Sequence, residues 1–248
     1  MKFLVFIKRV PDTSLPLRIK GNEIDKEGLT YVINPYDEYG IEEALRWKEK
    51  IGGEVVAITV GNANSKDILK NAIAMGVDKA VLIEVENENI SPKTIAKLLS
   101  EYAKRESFDV IFAGKQSVDK VQGLIPVLVA KYLNIPVVPY IVKFEIQDGK
   151  AVVEREVDGN IEKIEVKIPA IFTCEKGLNE PRYPTLKGIM KAKRAQIPVI
   201  NPNELGVEIK EEEIKKIELK LPPDRPPAKI VESVDELIKL LKEEAKVL

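Results

Sequence analysis

Residues 54–85, EVVAITVGNANSKDILKNAIAMGVDKAVLIEV, contain a strand, a helix and a second strand in direct succession. EVVAITVG, at 54–61, is a short apolar run that ends in glycine, as is typical of a strand buried on both faces. Ser65 is in position to cap a helix over 66–75, and Gly76 is in position to end it. KAVLIEV then supplies the next strand. This order predicts parallel strands joined by right-handed crossovers.

The same alternation continues on both sides of this unit. FLVFI, at 3–7, has the length and apolar character of a buried strand, and the charges that follow it argue against a signal peptide. The remaining elements occur in the order expected for a parallel sheet covered by helices. They are a hairpin-like excursion at 15–33, a helix from NPYDEYG to Gly52, a helix from Ser91-Pro92 to about Arg105, a strand at 108–114 and a helix ending near Tyr132.

A change of pattern after Pro139 predicts an antiparallel addition to the sheet. YIVKFEI, KAVVERE and IEKIEVKI alternate between apolar and polar residues, and Asp-Gly pairs at 148–149 and 158–159 separate them. Such pairs favour hairpin turns. We expect this meander to end in IPAIFT, at 168–173. The expected fold is α/β: a doubly wound, mostly parallel sheet with an antiparallel meander and a C-terminal arm plus helix.

The sequence predicts two domains. Residues 1–200 form the α/β nucleotide-binding domain, and 201–248 form an arm with several prolines followed by a helix. Ser233 and Glu236 stand in capping-box positions at the start of that helix. This helix has an apolar face, which packs either on its own domain or on another chain. The face comprises Val234, Leu237, Ile238, Leu241 and Ala245.

Charge and rare residue types exclude several classes of chemistry. With 39 basic and 40 acidic residues the chain is close to neutral, which predicts no general attraction to nucleic acid or to a membrane. It has no histidine and one cysteine, Cys174, which excludes an internal disulfide, a multi-cysteine metal site and His-dependent catalysis. No apolar run approaches the ~20 residues that cross a bilayer. We expect a soluble, cytoplasmic protein without catalytic residues or metal ligands, whose chemistry comes from a cofactor or another chain.

Residues 173–194, TCEKGLNEPRYPTLKGIMKAKR, form a basic segment with a few apolar side chains. No acidic residue occurs from 181 to 203. Apolar side chains in a basic field suit a surface that docks an acidic partner, whereas the alternative is a solvated basic loop with a short helix. The apolar residues are Leu186, Ile189 and Met190, and the basic ones are Arg182, Lys187, Lys191, Lys193 and Arg194.

Three loops follow strands at the sheet edge where open α/β proteins bind ligands, at 6–13, 60–65 and 114–122. Gly61 and Gly114 allow a ligand to approach the backbone, and a helix amino terminus after each loop favours phosphate. The alternative is an ordinary polar loop. Donors and acceptors for phosphate and ribose in the third loop are Lys115, Gln116, Ser117, Asp119 and Gln122.

A second polar cluster, Asn34, Pro35, Tyr36 and Asp37, stands at the start of the first predicted helix. Asn34 or Asp37 serves there either as a helix cap or as a ligand group. Cys174 and Trp47 are expected in the core, because each lies in an apolar or helical pattern.

Several blocks of this sequence resemble the β subunit of the electron transfer flavoproteins, a family that includes the nitrogen-fixation-associated small subunits. The match covers nearly the whole chain, and it implies that residues 1–200 form a nucleotide-binding domain with a sheet of the adenine-nucleotide α-hydrolase type. The most specific block is LNEPRYPTLKGIMKAKR at 178–194, which is similar to the family's recognition loop. The others are KRVPDT at 8–13, NPYDEYGIEEALRWKE at 34–49, AIAMGVDKAVLI at 72–83, GKQSVD at 114–119 and VEREVDGNIEKIEVKIPAIFT at 153–173.

The resemblance implies a heterodimer with an α subunit, on which the arm and helix at 201–248 pack. It implies FAD bound mainly by α, with residues near 9–13 forming one wall, and AMP or a second FAD buried in this chain. NADH is a possible donor where a second FAD is present. By position, the nucleotide contacts are Phe6, Asn34, Pro35, Tyr36, Asp37, Val60, Gly114, Lys115, Gln116, Ser117, Val118, Asp119 and Gln122.

The resemblance also implies a docking surface for a flavin-containing dehydrogenase or a quinone oxidoreductase. Leu186 takes the place of the family's apolar anchor. The other expected docking residues are Ile189, Met190, Lys191, Lys193 and Arg194. The chain would then be an electron-carrier subunit, or part of an NADH-dependent electron-bifurcating enzyme.

Two blocks depart from the family pattern. Asp119 is followed by Lys120 and Val121 where a second acidic residue is usual, and the loop is about one residue shorter. Asn160 stands where an acidic residue or glycine is usual. VPDT and NPYDEY are more similar to the electron-bifurcating members. The alternative outside this family is a stand-alone adenine-nucleotide sensor of the universal-stress-protein type, which shares the fold without a redox role.

Overall fold

The protein is described by a computed structural model that covers residues 1–87, 89–211, 214, 217–225 and 227–248. The strands are β1 (Lys2–Phe6), β2 (Arg9–Pro11), β3 (Ile19–Lys20), β4 (Glu23–Ile24), β5 (Tyr31–Ile33), β6 (Glu54–Gly61), β7 (Lys79–Glu84), β8 (Val110–Gly114), β9 (Val137–Gln147), β10 (Lys150–Val157), β11 (Asn160–Lys167), β12 (Ala170–Cys174) and β13 (Val199–Ile200). The α-helices are α1 (Pro35–Ile51), α2 (Lys66–Met75), α3 (Pro92–Glu106), α4 (Ile125–Leu133), α5 (Leu186–Arg194) and α6 (Val234–Glu243).

Nine of these strands form one mixed sheet in the order β11-β10-β9-β12-β8-β1-β6-β7-β13. From β9 to β13 the neighbouring strands pair in parallel, while β10 and β11 add an antiparallel edge. Each face of the sheet has its own hydrophobic core, and different helices pack on the two faces. Side chains of α1, α2 and α5 pack on one face, and those of α3 and α4 pack on the other. The doubly wound, mostly parallel fold is therefore confirmed.

The last strand of the expected meander lies elsewhere in the sheet. β12 does not pair with β11 but inserts between β8 and β9, parallel to both. The physical reason is its burial, since all five of its residues are buried while β11 is largely exposed. A fully buried apolar strand belongs in the centre of a parallel sheet rather than at an antiparallel edge.

Local turn chemistry explains the hairpins. Asp148 and Gly149 have φ values of 49° and 74°, and Asp158 and Gly159 have 49° and 78°. Two successive positive φ angles are what a tight turn between antiparallel strands requires. The expected cap at Ser65 is wrong, because its side chain makes no capping hydrogen bond. A 3₁₀ turn at Ala63–Ser65 precedes α2 instead.

The chain divides into two compact units, 1–17 with 25–215, and 18–24 with 216–248. The second unit contains the β3–β4 hairpin, described parts of the arm, and α6. Asn22 in the hairpin donates to the carbonyl oxygen of Ile217 at 3.1 Å and accepts from the amide of Leu219 at 2.6 Å. Residues 212, 213, 215, 216 and 226 of the expected arm lie outside the described residues. The domain boundary at residue 200 stays a prediction.

Helix α6 begins as the sequence pattern indicates. The Ser233 hydroxyl accepts from the Glu236 amide at 3.2 Å, but the Glu236 carboxylate accepts from Glu232 rather than from Ser233, so half of the capping box forms. None of its residues is buried. Among the described residues, no helix combines the length and the apolar character needed to span a bilayer.

Aromatic rings form the centre of the core between α1 and the sheet. The Phe112 ring stacks on Phe3 with centroids 6.4 Å apart and meets Phe144 edge-on at 5.0 Å. Phe172 lies 6.0 Å from Phe112, and Trp47 packs edge-on against Phe144 at 5.7 Å. Trp47 is therefore a core residue, as expected.

Truncation of Phe112 tests this core. Phe112→Ala removes a fully buried ring and is expected to lower the free energy of unfolding by about 3–5 kcal/mol, measured by urea denaturation. Tyr183→Ala is the control, because Tyr183 is 91% exposed and its truncation should cost at most about 0.5 kcal/mol. Equal losses in the two variants would contradict this account of the core.

Candidate functional site

The predicted nucleotide residues converge on one edge of the sheet. Phe6 ends β1, Gly114 ends β8, and Val60 lies near the end of β6. β1 lies between β8 and β6 in the sheet, and the crossovers change face between β1 and β8. Ligands of open α/β sheets bind at such a reversal, beyond the carboxyl ends of the strands.

The Asp37 carboxylate fastens the loops that follow β1 and β8. Its Oδ2 accepts from the Lys8 amide at 2.8 Å, and its Oδ1 accepts from the Gly114 amide and from the Asn34 side chain, each at 2.9 Å. A Cβ at Gly114 would collide with the Asp37 carboxylate, so glycine is needed there. Burial raises the pKa of Asp37 to about 7, although its three donors favour the charged form.

The Asn34 amide secures the other end of the same loop. Its Nδ2 donates to the carbonyl oxygen of Gln116 at 2.9 Å, and its Oδ1 accepts from the amide of Val118 at 3.1 Å. It makes no side-chain cap on α1, so the expectation of a simple helix cap is wrong for Asn34. Both buried side chains shape the site by fixing its loops. Direct contact of Asn34 or Asp37 with a ligand stays a prediction.

Lys8 is a site residue that the sequence reasoning missed. Its Nζ contacts both carboxylate oxygens of Asp119 at 2.6 Å and the Ser117 hydroxyl at 3.3 Å. Burial favours the neutral form of Asp119, but the charge and hydrogen bond of Lys8 outweigh it and lower the pKa of this carboxyl. The sequence signals for Lys8 were its position directly after a buried strand, in the candidate loop 6–13, and its place in the KRVPDT block.

A second lysine closes the other side of the loop. Lys115 Nζ lies 2.5 Å from the Glu175 carboxylate and 4.8 Å from the centroid of the Tyr36 ring. The hydrogen bond to Glu175 raises the pKa of Lys115, which stays protonated at neutral pH. Two cations thus flank the loop, and both are held by carboxylates of the same chain.

The end of this loop presents main-chain donors. Val121 and Gly123 have positive φ values of 53° and 58°, and α4 begins directly after them. Leu124, at the cap position of α4, supplies no side-chain hydrogen bond to the first turn. Pro126 has no amide hydrogen, and the Leu128 amide donates to the Leu124 carbonyl oxygen. The amides of Ile125 and Val127 are therefore the ones in this turn that suit a phosphate group. Gln122 is exposed beside them.

The predicted docking residues lie on α5. The Thr185 hydroxyl accepts from the Gly188 amide and caps this helix. Leu186 is 80% exposed, Met190 48% and Ile189 40%, while Ala192 is the one buried residue of the helix. Lys191, Lys193 and Arg194 are exposed in its last turn. The helix therefore presents apolar side chains within a basic surface.

Arg182 has a structural role. Its guanidinium binds Glu42 through Nε at 2.7 Å and Nη2 at 3.0 Å, and it binds Glu49 through Nη1 at 2.5 Å. Asn179 adds hydrogen bonds to the Tyr39 carbonyl oxygen at 3.0 Å and to the Glu43 carboxylate at 2.9 Å. The segment before α5 is thereby fixed to α1, and Arg182 is not a free charge for docking.

Comparison with known proteins identifies the family. The family model for the electron transfer flavoprotein domain matches residues 22–205. The electron transfer flavoprotein subunit beta of Bacillus subtilis (strain 168) is 40% identical, with both chains covered completely. The chain belongs to the family of electron transfer flavoprotein β subunits. The subunit beta proteins of Dictyostelium discoideum and Homo sapiens are 38% and 35% identical, with 99% and 98% of this chain covered and 98% and 97% of theirs.

Family membership fixes the coarse role of the chain. It is an electron transfer flavoprotein subunit, and the family implies flavin in the complex and a heterodimer with an α subunit. Among the described residues there is no cluster of three or more side chains suited to hold a metal ion. Cys174 is fully buried, and burial raises the pKa of its thiol well above the usual value. Cys174 is therefore a core residue.

Asp37→Asn tests the buried carboxyl. An amide turns a donor toward the Lys8 amide, so the variant should be less stable than the wild type. The folded pKa of about 7 exceeds the reference value of 3.8, so the stability contributed by Asp37 falls as pH rises through that window. The difference in unfolding free energy between the two proteins should shrink by on the order of 2 kcal/mol from about pH 5 to about pH 8, since one pKa unit is worth about 1.4 kcal/mol.

Urea denaturation at the two pH values measures this difference. The other ionisable groups are present in both proteins, so most of their contributions to the pH dependence cancel in the difference. A difference that grows with pH would show that the hydrogen bonds, rather than burial, control the pKa of Asp37.

Arg182→Met tests the attachment of the segment before α5 to helix α1. Glu42 is buried and would lose its cation, so we expect a loss of about 2 kcal/mol in unfolding free energy, less than for a fully buried pair because Arg182 is partly exposed. Lys187→Met on α5 is the control with the same loss of charge. An equally stable Arg182→Met protein would contradict the attachment.

Proposed function

We propose that this chain pairs with an α subunit and passes electrons through FAD held between the two chains, while its own sheet edge binds an adenine nucleotide. One observation carries the proposal. Hydrogen bonds of Asn34 and Asp37 join the loops after β1 and β8, at the edge of the sheet where the crossovers change face. Such rigid loops suit a ligand that stays bound. Family membership favours this role over the stand-alone nucleotide sensor.

The residues at this edge fit a nucleotide. Uncapped amides at the start of α4 suit phosphate, and Lys8 and Lys115, each paired with a carboxylate of this chain, lie on either side of the loop. Gln116, Ser117 and Gln122 offer polar groups for ribose. Bound flavin supplies the redox chemistry, and the chain's own residues orient the nucleotide and exclude water from it.

The nucleotide of this chain is AMP in an ordinary carrier and a second FAD in an electron-bifurcating one, for which NADH is the donor. The VPDT and NPYDEY blocks favour the second form. The chain should be co-expressed with its α subunit, isolated gently and denatured, and the released nucleotides should be identified and counted per heterodimer. One FAD with one AMP supports the carrier, two FAD support bifurcation, and a complex without flavin would overturn the proposal.

The exposed face of α5 is proposed to dock a flavin-containing dehydrogenase or a quinone oxidoreductase. Its basic last turn would attract an acidic partner. One of its lysines has another role, because Lys191 Nζ donates to the Val77 carbonyl oxygen at 3.3 Å. Lys193 and Arg194 are therefore the better positions for charge reversal.

Reversal of these two charges gives a direct test. The heterodimer carrying Lys193→Glu and Arg194→Glu should exchange electrons with its dehydrogenase about tenfold more slowly at low salt, with its nucleotide content unchanged. The difference should diminish at high salt, because exposed charges are screened. Lys97→Glu with Lys131→Glu, on α3 and α4, is the matched control on the opposite face. Loss of nucleotide with an unchanged rate would reverse the two assigned roles.

A further inference from the structure

A groove of about 280 Å³ lies on the surface where α2 and α5 meet. It lies beside the outward face of α5 that carries Leu186 and Met190. Its volume is just below the roughly 300–1,000 Å³ of small-molecule sites, so it suits a protein side chain better than a nucleotide. Its lining residues are Lys70, Asn71, Ala74, Ile189, Ala192 and Lys193.

The two helices that form the groove are fixed relative to each other. Gly188 lies so close to α2 that a Cβ there would collide with the Ala74 carbonyl oxygen. Ala192 is buried against α2, and Lys191 reaches past it to the Val77 carbonyl oxygen at 3.3 Å. The groove is therefore preformed, and a partner would not need to open it.

The surface around the groove is strongly basic. Helices α2 and α5 together carry six basic residues and one acidic residue, Asp67, which Arg9 neutralises at 2.8 Å. Lys70 and Lys193 stand at the groove itself, and neither forms an ion pair with any residue that the structure describes. An apolar slot between unpaired lysines complements an apolar side chain flanked by carboxylates. The six basic residues are Lys66, Lys70, Lys187, Lys191, Lys193 and Arg194.

We propose that α2 forms half of the docking surface, and that this groove receives an apolar side chain of an acidic segment of the redox partner. Carboxylates beside that side chain pair with Lys70 and Lys193. Contact then runs in both directions, because Leu186 and Met190 insert into the partner while Ile189 lines the slot that the partner fills. The inference rests on the proposed function, and it adds α2 to a surface otherwise limited to α5.

Two substitutions on α2 test the inference in the heterodimer with its α subunit. Lys70→Glu reverses a charge at the groove, and Asn71→Phe fills the groove. The probe is the flavoprotein dehydrogenase with which the wild-type heterodimer exchanges electrons. Lys70→Glu should raise the KM for this dehydrogenase about three- to tenfold at low salt, with less effect at high salt. Asn71→Phe should raise it at every salt concentration.

In both variants kcat and nucleotide content should stay at the wild-type values, since the groove contacts the partner and not the cofactor. Lys97→Glu on α3 is the control with the same charge change on the opposite face of the sheet. Asn71→Leu repeats the filling test with a smaller side chain if Asn71→Phe is poorly folded.

The outcomes separate this inference from the proposed function. Unchanged KM values for both α2 variants, together with a raised KM for Lys193→Glu, would confine docking to α5 and overturn the inference alone. Lowered nucleotide content would assign α2 to cofactor binding and overturn it as well. A wild-type heterodimer that exchanges electrons with no flavoprotein dehydrogenase would overturn the proposed function and this inference with it.

Discussion

The hydrogen bonds of Asn34 and Asp37 join elements that the chain places far apart. Both side chains are buried, and each of their amide or carboxylate groups finds a partner in a loop after β1 or β8. A buried polar group without a partner costs on the order of 1–3 kcal/mol, so other arrangements of these loops are disfavoured. The candidate nucleotide site is thereby built before any ligand arrives.

Helix α1 connects this site with the segment before α5, the helix that carries the predicted docking residues. Its first turn holds the nucleotide loops, and its later turns present Glu42, Glu43 and Glu49 to the segment before α5. Two contacts then hold α5 in place. Arg182, in the segment before it, binds Glu42 and Glu49 of α1, and Gly188 of α5 approaches α2 closely. The proposed docking on this basic surface would gain specificity from such fixed geometry, because less ordering is needed on binding.

Local sequence patterns predicted the strands, helices and hairpins, whereas the long-range side-chain contacts depend on tertiary structure. Apolar runs and Asp-Gly pairs indicated the strands and hairpins because these signals lie within a few residues. The partners of Arg182 on α1 lie up to 140 positions away, and Asp119 lies 111 positions from Lys8. The periodicity of apolar residues along the sequence does not indicate such distant contacts. For the same reason Asn34 had the local features of a helix cap, the position of β12 was wrongly predicted as part of the meander, and no local pattern indicated the groove beside α5.

The separation of the two sites along α1 determines how they communicate. Asp37 and Glu49 lie twelve residues apart, which corresponds to about 18 Å of helix at about 1.5 Å per residue. The Debye length at physiological salt is about 8 Å, so charges at the docking surface are largely screened from the nucleotide loops. If α5 docks a partner as proposed, a change of charge on α5 should alter partner capture and leave the nucleotide content unchanged. A displacement is transmitted differently, because α1 is in direct contact with both sites. In the proposed function, partner binding would reach the nucleotide by moving α1, or α2, which follows the loop after β6. The close packing of α1 on the sheet through Gly40, whose Cβ position lies 3.2 Å from the Phe112 side chain, opposes movement of α1.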